Sequence, residues 1–229
     1  MDKGIVIIGT ERYEKLAEKI EEEYQRNNFI VYKPDCNRER EIEKFFKMIG
    51  NEKVALTNFF YFSGKSFYTS ILKESYLSEM KESINETFLL GALWIKCIGN
   101  YLHYNKLKGK MIILAHISSI VPSKEFSYCS IGEAALVNFA KVAILDTHDH
   151  TDLQINFITH GWLESEKKEK EWKEQLDILH KDDKSPIVEC ITDNEVLEAC
   201  RAVDVITAMN GSNVILDKGY SISRTIKSI

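Results

Sequence analysis

The chain has 229 residues, of which 44% are hydrophobic and 28% charged, and its formal net charge is −5. This balance is that of one globular domain, 1–229, long enough to bury a sizeable core. Dispersed charge of net negative sign excludes a dedicated nucleic-acid surface, which is basic, and no apolar run approaches the roughly 20 residues of a membrane span. "MDKGIVIIGT" opens the chain with an apolar stretch and no small-residue cleavage site, so no signal peptide is expected. Within it, "GIVIIGT" (4–10) reads as a strand buried on both faces. Residues 11–25 have helical spacing, with Leu16, Ile20 and Tyr24 on one stripe. "FIVYKPD" (29–35) is strand-like and stops at Pro34. A helix over 38–50 turns Ile42, Phe45, Phe46 and Ile49 inward. "KVALTNFF" (53–60) is a further strand, 74–104 a long helix, and "KMIILAHISS" (110–119) a strand. Residues 129–147 are helical, 153–159 form a strand, 193–208 are helical, and 212–220 contain the last strand. "ESEKKEKEWKEQLDILHKDDKS" (164–185) is a charged helical insertion, with Trp172, Leu176 and Leu179 at helical spacing. It fits either a solvated surface helix or a lid.

Strands alternating with helices at this spacing predict an α/β fold. The expectation is a Rossmann-like, doubly wound, mainly parallel sheet with right-handed crossovers and helices on both faces. The five cysteines, Cys36, Cys97, Cys129, Cys190 and Cys200, are scattered and include no CxxC pair. Free thiols in a reduced, cytoplasmic protein follow. His148 and His150 in "THDHTD" are read as a solvated turn, and no metal site is expected.

Several segments, in order, resemble the short-chain dehydrogenase/reductase (SDR) superfamily. "ESINETFLLGALWI" is similar to the helix whose Asn holds a relay water, with Asn85 in that place. "IILAHISS" resembles the strand ending in the catalytic Ser, here Ser119 beside Ser118. "INFITHGW" resembles the segment that closes over nicotinamide, with His160 where Pro is usual. "MNGSNVILDKGY" resembles the family's closing turn and strand. "YCSIGEAALVNFAKVAI" resembles the helix that carries the catalytic Tyr and Lys.

The resemblance implies NAD(P), yet the residues depart from what that cofactor needs. The turn after the first strand keeps one glycine, Gly9, with bulky Glu11, Arg12 and Tyr13 where two more are expected. Gly9, Arg12, Asp35 and Asn58 are the candidate cofactor-binding residues. Gly9 and Asn58 stand 49 positions apart with one strand–helix pair between them. One βα unit, on the order of 30 residues, is therefore missing from the family plan.

The family chemistry needs a cation near its Tyr, because a free phenol titrates near ~10 and a neighbouring cation favours the phenolate. Anchored on Tyr128, the lysine position is Gly132; anchored on "AALVNFAKVA", it is Glu133 and the tyrosine position is Cys129. Neither alignment supplies the cation. Ser119, Tyr128 and Asn85 remain the candidate catalytic set, vestigial under this reading. Cys129 at a helix start, with His116 or His160 as base, is a weaker alternative.

The leading expectation is a non-catalytic SDR-fold subunit that binds no cofactor and supports an active NAD(P)-dependent dehydrogenase. It would form a homo- or hetero-oligomer through helices 82–104 and 133–147, with an intact paralogue as one such partner. The alternatives are a divergent NAD(P)-dependent oxidoreductase on a carbonyl or alcohol, and a small-ligand-binding or regulatory protein.

Overall fold

The computed structural model describes residues 2–9, 13–64, 71–72, 74, 76–121, 127–165 and 189–225. The charged insertion lies almost wholly outside the described residues, as does Arg12. In chain order the elements are β1 (Asp2–Ile8), α1 (Glu14–Arg26), β2 (Ile30–Tyr32), α2 (Glu39–Glu52) and β3 (Val54–Phe62). Then come α3 (Tyr76–Ile84), a π-turn (Asn85–Leu89), α4 (Leu90–Asn105), β4 (Lys108–His116) and α5 (Ser127–Thr147). β5 (Asp152–His160), α6 (Asp193–Val205), β6 (Asn213–Leu216) and α7 (Tyr220–Thr225) follow among the described residues.

The described strands form one six-stranded sheet in the order β2-β1-β3-β4-β5-β6, with every pairing parallel. Only β2 lies beyond β1, so the side of the sheet that the sequence makes one βα unit short is short. Alternation along each strand sorts the apolar runs into two cores. Val6, Phe59, Tyr61, Ile113 and Phe157 face α2, α4 and α5. Ile5, Phe60, Phe62, Leu114 and Ile158 face α1 and α6. Burial on both faces is why these strands read as continuous hydrophobic runs rather than alternating ones.

The helices sit where periodicity sets them. Leu16, Ala17, Ile20 and Tyr24 bury the inner stripe of α1, and Ile42, Phe45, Phe46 and Ile49 that of α2. Thr192 opens α6 with a capping box: its hydroxyl accepts from Glu195 N–H, and the Glu195 carboxylate accepts from Thr192 N–H. Three features differ from the sequence expectation. The long helix carries a π-turn, in which Leu90 N–H reaches Asn85 C=O, five residues back. β4 ends at His116, and Ile117–Ser119 form a 3₁₀ turn instead of the last strand residues. After β6, Asp217 accepts from the N–H groups of Gly219 (2.9 Å) and Ser221 (2.7 Å), which starts the unpredicted α7.

Candidate functional site

The strand order reverses between β1 and β3: the chain leaves β1 toward β2 on one side and returns to β3 on the other. Ligands in open α/β sheets bind outside the carboxyl ends of the strands at such a point. An open cleft of about 460 Å³ lies there, lined among others by Ile8, Gly9, Asp35, Tyr61, Glu86 and Leu90. Gly9 has φ +77°, and a Cβ on it would stand 2.5 Å from the Phe62 carbonyl oxygen. Only glycine lets β1 turn out so close to the end of β3. Asp35, exposed after β2, is one of the residues that line the cleft.

Beside the cleft, the ends of β3, β4 and β5 are covered by the protein's own side chains. Tyr13, at the entry to α1, stacks on Phe62 (ring centroids 5.3 Å apart) and meets His160 edge-on at 5.3 Å. His116 lies 5.9 Å from His160 and 4.7 Å from Trp162, centroid to centroid. All five rings are at most 2% exposed. The Nδ1 atoms of the two imidazoles play opposite roles. Ser118 N–H donates to His116 Nδ1 (3.2 Å), so the neutral ring carries its proton on Nε2. His160 Nδ1 lies 2.8 Å from the Gly161 carbonyl, which only accepts, so there the proton is on Nδ1.

A buried carboxylate joins this region to α5. Glu133 is 2% exposed. Its Oε1 accepts from Ser63 Oγ at 2.6 Å, and its Oε2 accepts from the backbone N–H of His116 at 3.2 Å. One side chain thus ties the end of β3 and the end of β4 to the helix. Glu133 is the residue that the helix-anchored alignment sets in the lysine position. The other alignment sets Gly132 there. A Cβ on Gly132 would already lie 2.9 Å from Thr87 Cβ, because the π-turn packs directly on α5.

The predicted site residues are not gathered together. Gly9 and Asp35 share the cleft. Asn58 does not reach it: it lies mid-strand in β3, opposite Ile5 and Lys110, and donates to Asp204 Oδ1 at 2.5 Å. Phe62, Ser63 and Gly64 occupy the strand end instead, so the motif match at Asn58 was displaced along β3. Asn85 is exposed at the start of the π-turn, which points it away from the sheet. Ser119 donates to the His116 carbonyl at 2.8 Å and faces a groove beside Lys141 and Asn213. Tyr128 is fully buried. The Cys129 side chain and Arg12 lie outside the described residues. Among the described residues no cluster of three metal-ligating side chains occurs.

Sequence reasoning missed Asp204. It accepts from Tyr24 Oη (2.7 Å) and Asn58, and its carbonyl accepts from Lys110 Nζ. Burial and the adjacent Asp204 push the Tyr24 phenol far above its ordinary range. Its signal was a polar pair, Thr57 and Asn58, inside a largely apolar strand, which calls for hydrogen-bond partners.

Solved structures superpose on the chain over almost its whole length. ElxO with NADP bound superposes with a TM-score of 0.77 at 14% identity, covering 97% of this chain and 100% of that one. Sorbitol-6-phosphate 2-dehydrogenase SrlD from Erwinia amylovora gives 0.74 at 16% identity, covering 94% and 98%. NADPH-dependent 3-quinuclidinone reductase from Rhodotorula rubra gives 0.74 at 15%, covering 97% and 92%. The chain has the short-chain dehydrogenase/reductase fold. No family model matches it, and no curated protein matches it by sequence.

The SDR fold implies a nicotinamide dinucleotide, and the described residues leave the two halves of its crevice in different states. A dinucleotide needs both halves of the crevice and a small residue where the backbone meets pyrophosphate. Here the half over β1 and β2 is open. The half over β3–β5 holds Tyr13, Phe62, His116, His160 and Trp162, packed ring against ring.

Proposed function

We propose that this chain is a non-catalytic protein on the SDR fold, one that has given up hydride transfer and binds no nicotinamide dinucleotide. Glu133 carries the reading. The position that needs a cation to make a phenolate holds a carboxyl side chain, or a glycine on the other alignment, and both Glu133 oxygens are engaged by Ser63 and His116 N–H. Neither side chain supplies the positive charge that favours a phenolate. Tyr128 adds to this, because a fully buried phenol offers no surface to a substrate. Exposed Leu89, Val142 and Leu145 on the π-turn and α5 support association through that side with a second SDR-fold subunit, an intact dehydrogenase being the partner whose activity it would support. The purified chain, assayed alone with NADH and NADPH against aldehydes and ketones, gives no turnover on this reading. Turnover that Tyr128→Phe abolishes would contradict it.

A second reading is a divergent NAD(P)-dependent oxidoreductase acting on a carbonyl or alcohol. It is favoured by the cleft that stays open at the switch point around Gly9 and Asp35, and by same-fold enzymes such as ElxO, whose structure holds NADP. Its cofactor would have to displace the Tyr13–Phe62 stack.

A further inference from the structure

The loop that leads into β6 holds the single Asn-Gly pair of the sequence, Asn210–Gly211. An Asn-Gly peptide cyclises by itself in water, because glycine has no Cβ to keep its backbone nitrogen away from the preceding carboxamide. Here both reacting groups are held. Gly211 N–H donates to the Ile155 carbonyl at 2.8 Å, and the Asn210 carboxamide oxygen accepts from Ile155 N–H at 3.0 Å. Asn156, 2% exposed, closes the clamp: its amide donates to the Met209 carbonyl at 2.9 Å, and its oxygen accepts from Ser212 N–H at 3.1 Å. Two consecutive residues of β5 thus hold the loop over 209–212.

The clamp sits where it can open without the rest of the fold. β6 has four residues and is the last strand in the described sheet order, bonded on one side to β5. Short edge elements open locally at less cost than core strands. Asn210 is exposed, so water and hydroxide reach it once Gly211 N–H is released. Gly211 has φ +73°, a conformation that glycine adopts at no steric cost. The turn therefore selects the same residue that makes the pair reactive.

We propose that Asn210–Gly211 is a self-modification site gated by this clamp. When β6 lifts from β5, the Gly211 nitrogen attacks Asn210 Cγ. The new C–N bond forms, the Cγ–Nδ2 bond breaks, and ammonia leaves with the proton of Gly211 N–H. Water then opens the cyclic imide at either carbonyl, giving aspartate or isoaspartate at position 210. Aspartate keeps an acceptor for Ile155 N–H. Isoaspartate adds one methylene to the backbone between Met209 and Gly211. Gly211 N–H and the Ser212 carbonyl can then no longer both meet Ile155 and Phe157, and β6 is released.

The test is incubation of the full chain at mildly alkaline pH, folded and in urea. Mass spectrometry with electron-transfer fragmentation follows the peptide that spans 210–211 and separates isoaspartate from aspartate. The expected result is conversion in both states, at least about thirtyfold slower in the folded chain. Asn156→Ala removes two bonds of the clamp and speeds conversion of the folded chain about tenfold, with the rate in urea unchanged. Should that variant not fold, the ratio between folded and urea-unfolded wild type decides. Asn210→Asp melts with the wild type, whereas the isoaspartyl form, isolated by ion exchange, melts lower. No conversion in urea overturns the site. Equal rates in the two states, or a folded Asn156→Ala protein that converts no faster, overturns the gating by the clamp. An isoaspartyl form that melts with the wild type overturns the release of β6.

Discussion

Glu133 decides more about this protein than the tyrosine five residues before it. Its two oxygens satisfy one hydroxyl and one backbone N–H, so its role can be separated into hydrogen bonding and charge. In Glu133→Gln the amide oxygen can accept from His116 N–H while the amide NH₂ donates to a rotated Ser63 hydroxyl. Chemical denaturation should then show a loss of about 1 kcal/mol. Glu133→Ala leaves both donors buried and unpaired and should lose about 3 kcal/mol or more. Equal losses would mean that the carboxylate's bonds do not hold the strand ends. The thiols give a second check at this scale. Burial pushes Cys97 to about 11 and Cys200 to about 12. Both pKa values exceed pH 8, so the thiolate that alkylates is scarce. Mass spectrometry after iodoacetamide at pH 8 should find both unmodified in the folded protein and modified once it is unfolded. At this scale the sequence was partly legible. The absence of a cation after Tyr128 can be read from the letters, whereas the partners of Glu133 cannot, because Ser63 and His116 come from distant strands.

At the scale of elements, close approach explains which motif positions kept glycine. Gly132 lets the π-turn meet α5, with Thr87 Cβ 2.9 Å from where a Cβ would stand. Gly132→Ala should cost about 1–3 kcal/mol in overlap, offset in part by about 1 kcal/mol of helix propensity. Gly132→Lys restores the Tyr–Lys spacing in sequence, but it should destabilise further and produce no dehydrogenase activity. A stable, active Gly132→Lys protein would mean that the packing argument fails. The end of β6 offers a pH test. Burial alone would raise Asp217, but hydrogen bonds from Ser221 and the Gly219 N–H outweigh it and hold the carboxyl below its ordinary value. A lowered folded pKa gives stability that is full above the unfolded pKa, about 3.9, and is lost as pH falls through the folded one. Asp217→Asn should lower stability at pH 7 and flatten its fall below about pH 4. Thermal melts at both pH values would show this, and a parallel fall in both proteins would contradict it. Among the described residues, periodicity located the long helices and most strands. It could not place the π-turn, the 3₁₀ turn after β4 or the Asp217 cap, since each depends on local hydrogen bonds rather than on an apolar stripe.

At the scale of the molecule, the two halves of the sheet have diverged differently. Alternating strands and helices were sufficient to read a parallel, doubly wound sheet, and the short distance from Gly9 to β3 was sufficient to read the missing unit. The site was harder. Asn58 looked like a strand-end residue because a short motif matched there, but the real end of β3 lies at Phe62, four residues on. Asn58 instead belongs to the Asp204 cluster that ties α1, β3, β4 and α6 together. Filling of the β3–β5 half by Tyr13, Phe62, His116, His160 and Trp162 could not be read, since those residues come from four separate segments. On the proposed reading, this filling and the missing cation after Tyr128 have removed the dinucleotide function. Titration of the purified chain with NADH and NADPH, followed by the fluorescence of the reduced nicotinamide, tests it most directly. The account predicts no saturable binding up to about 1 mM; a dissociation constant in the micromolar range for either cofactor would contradict it.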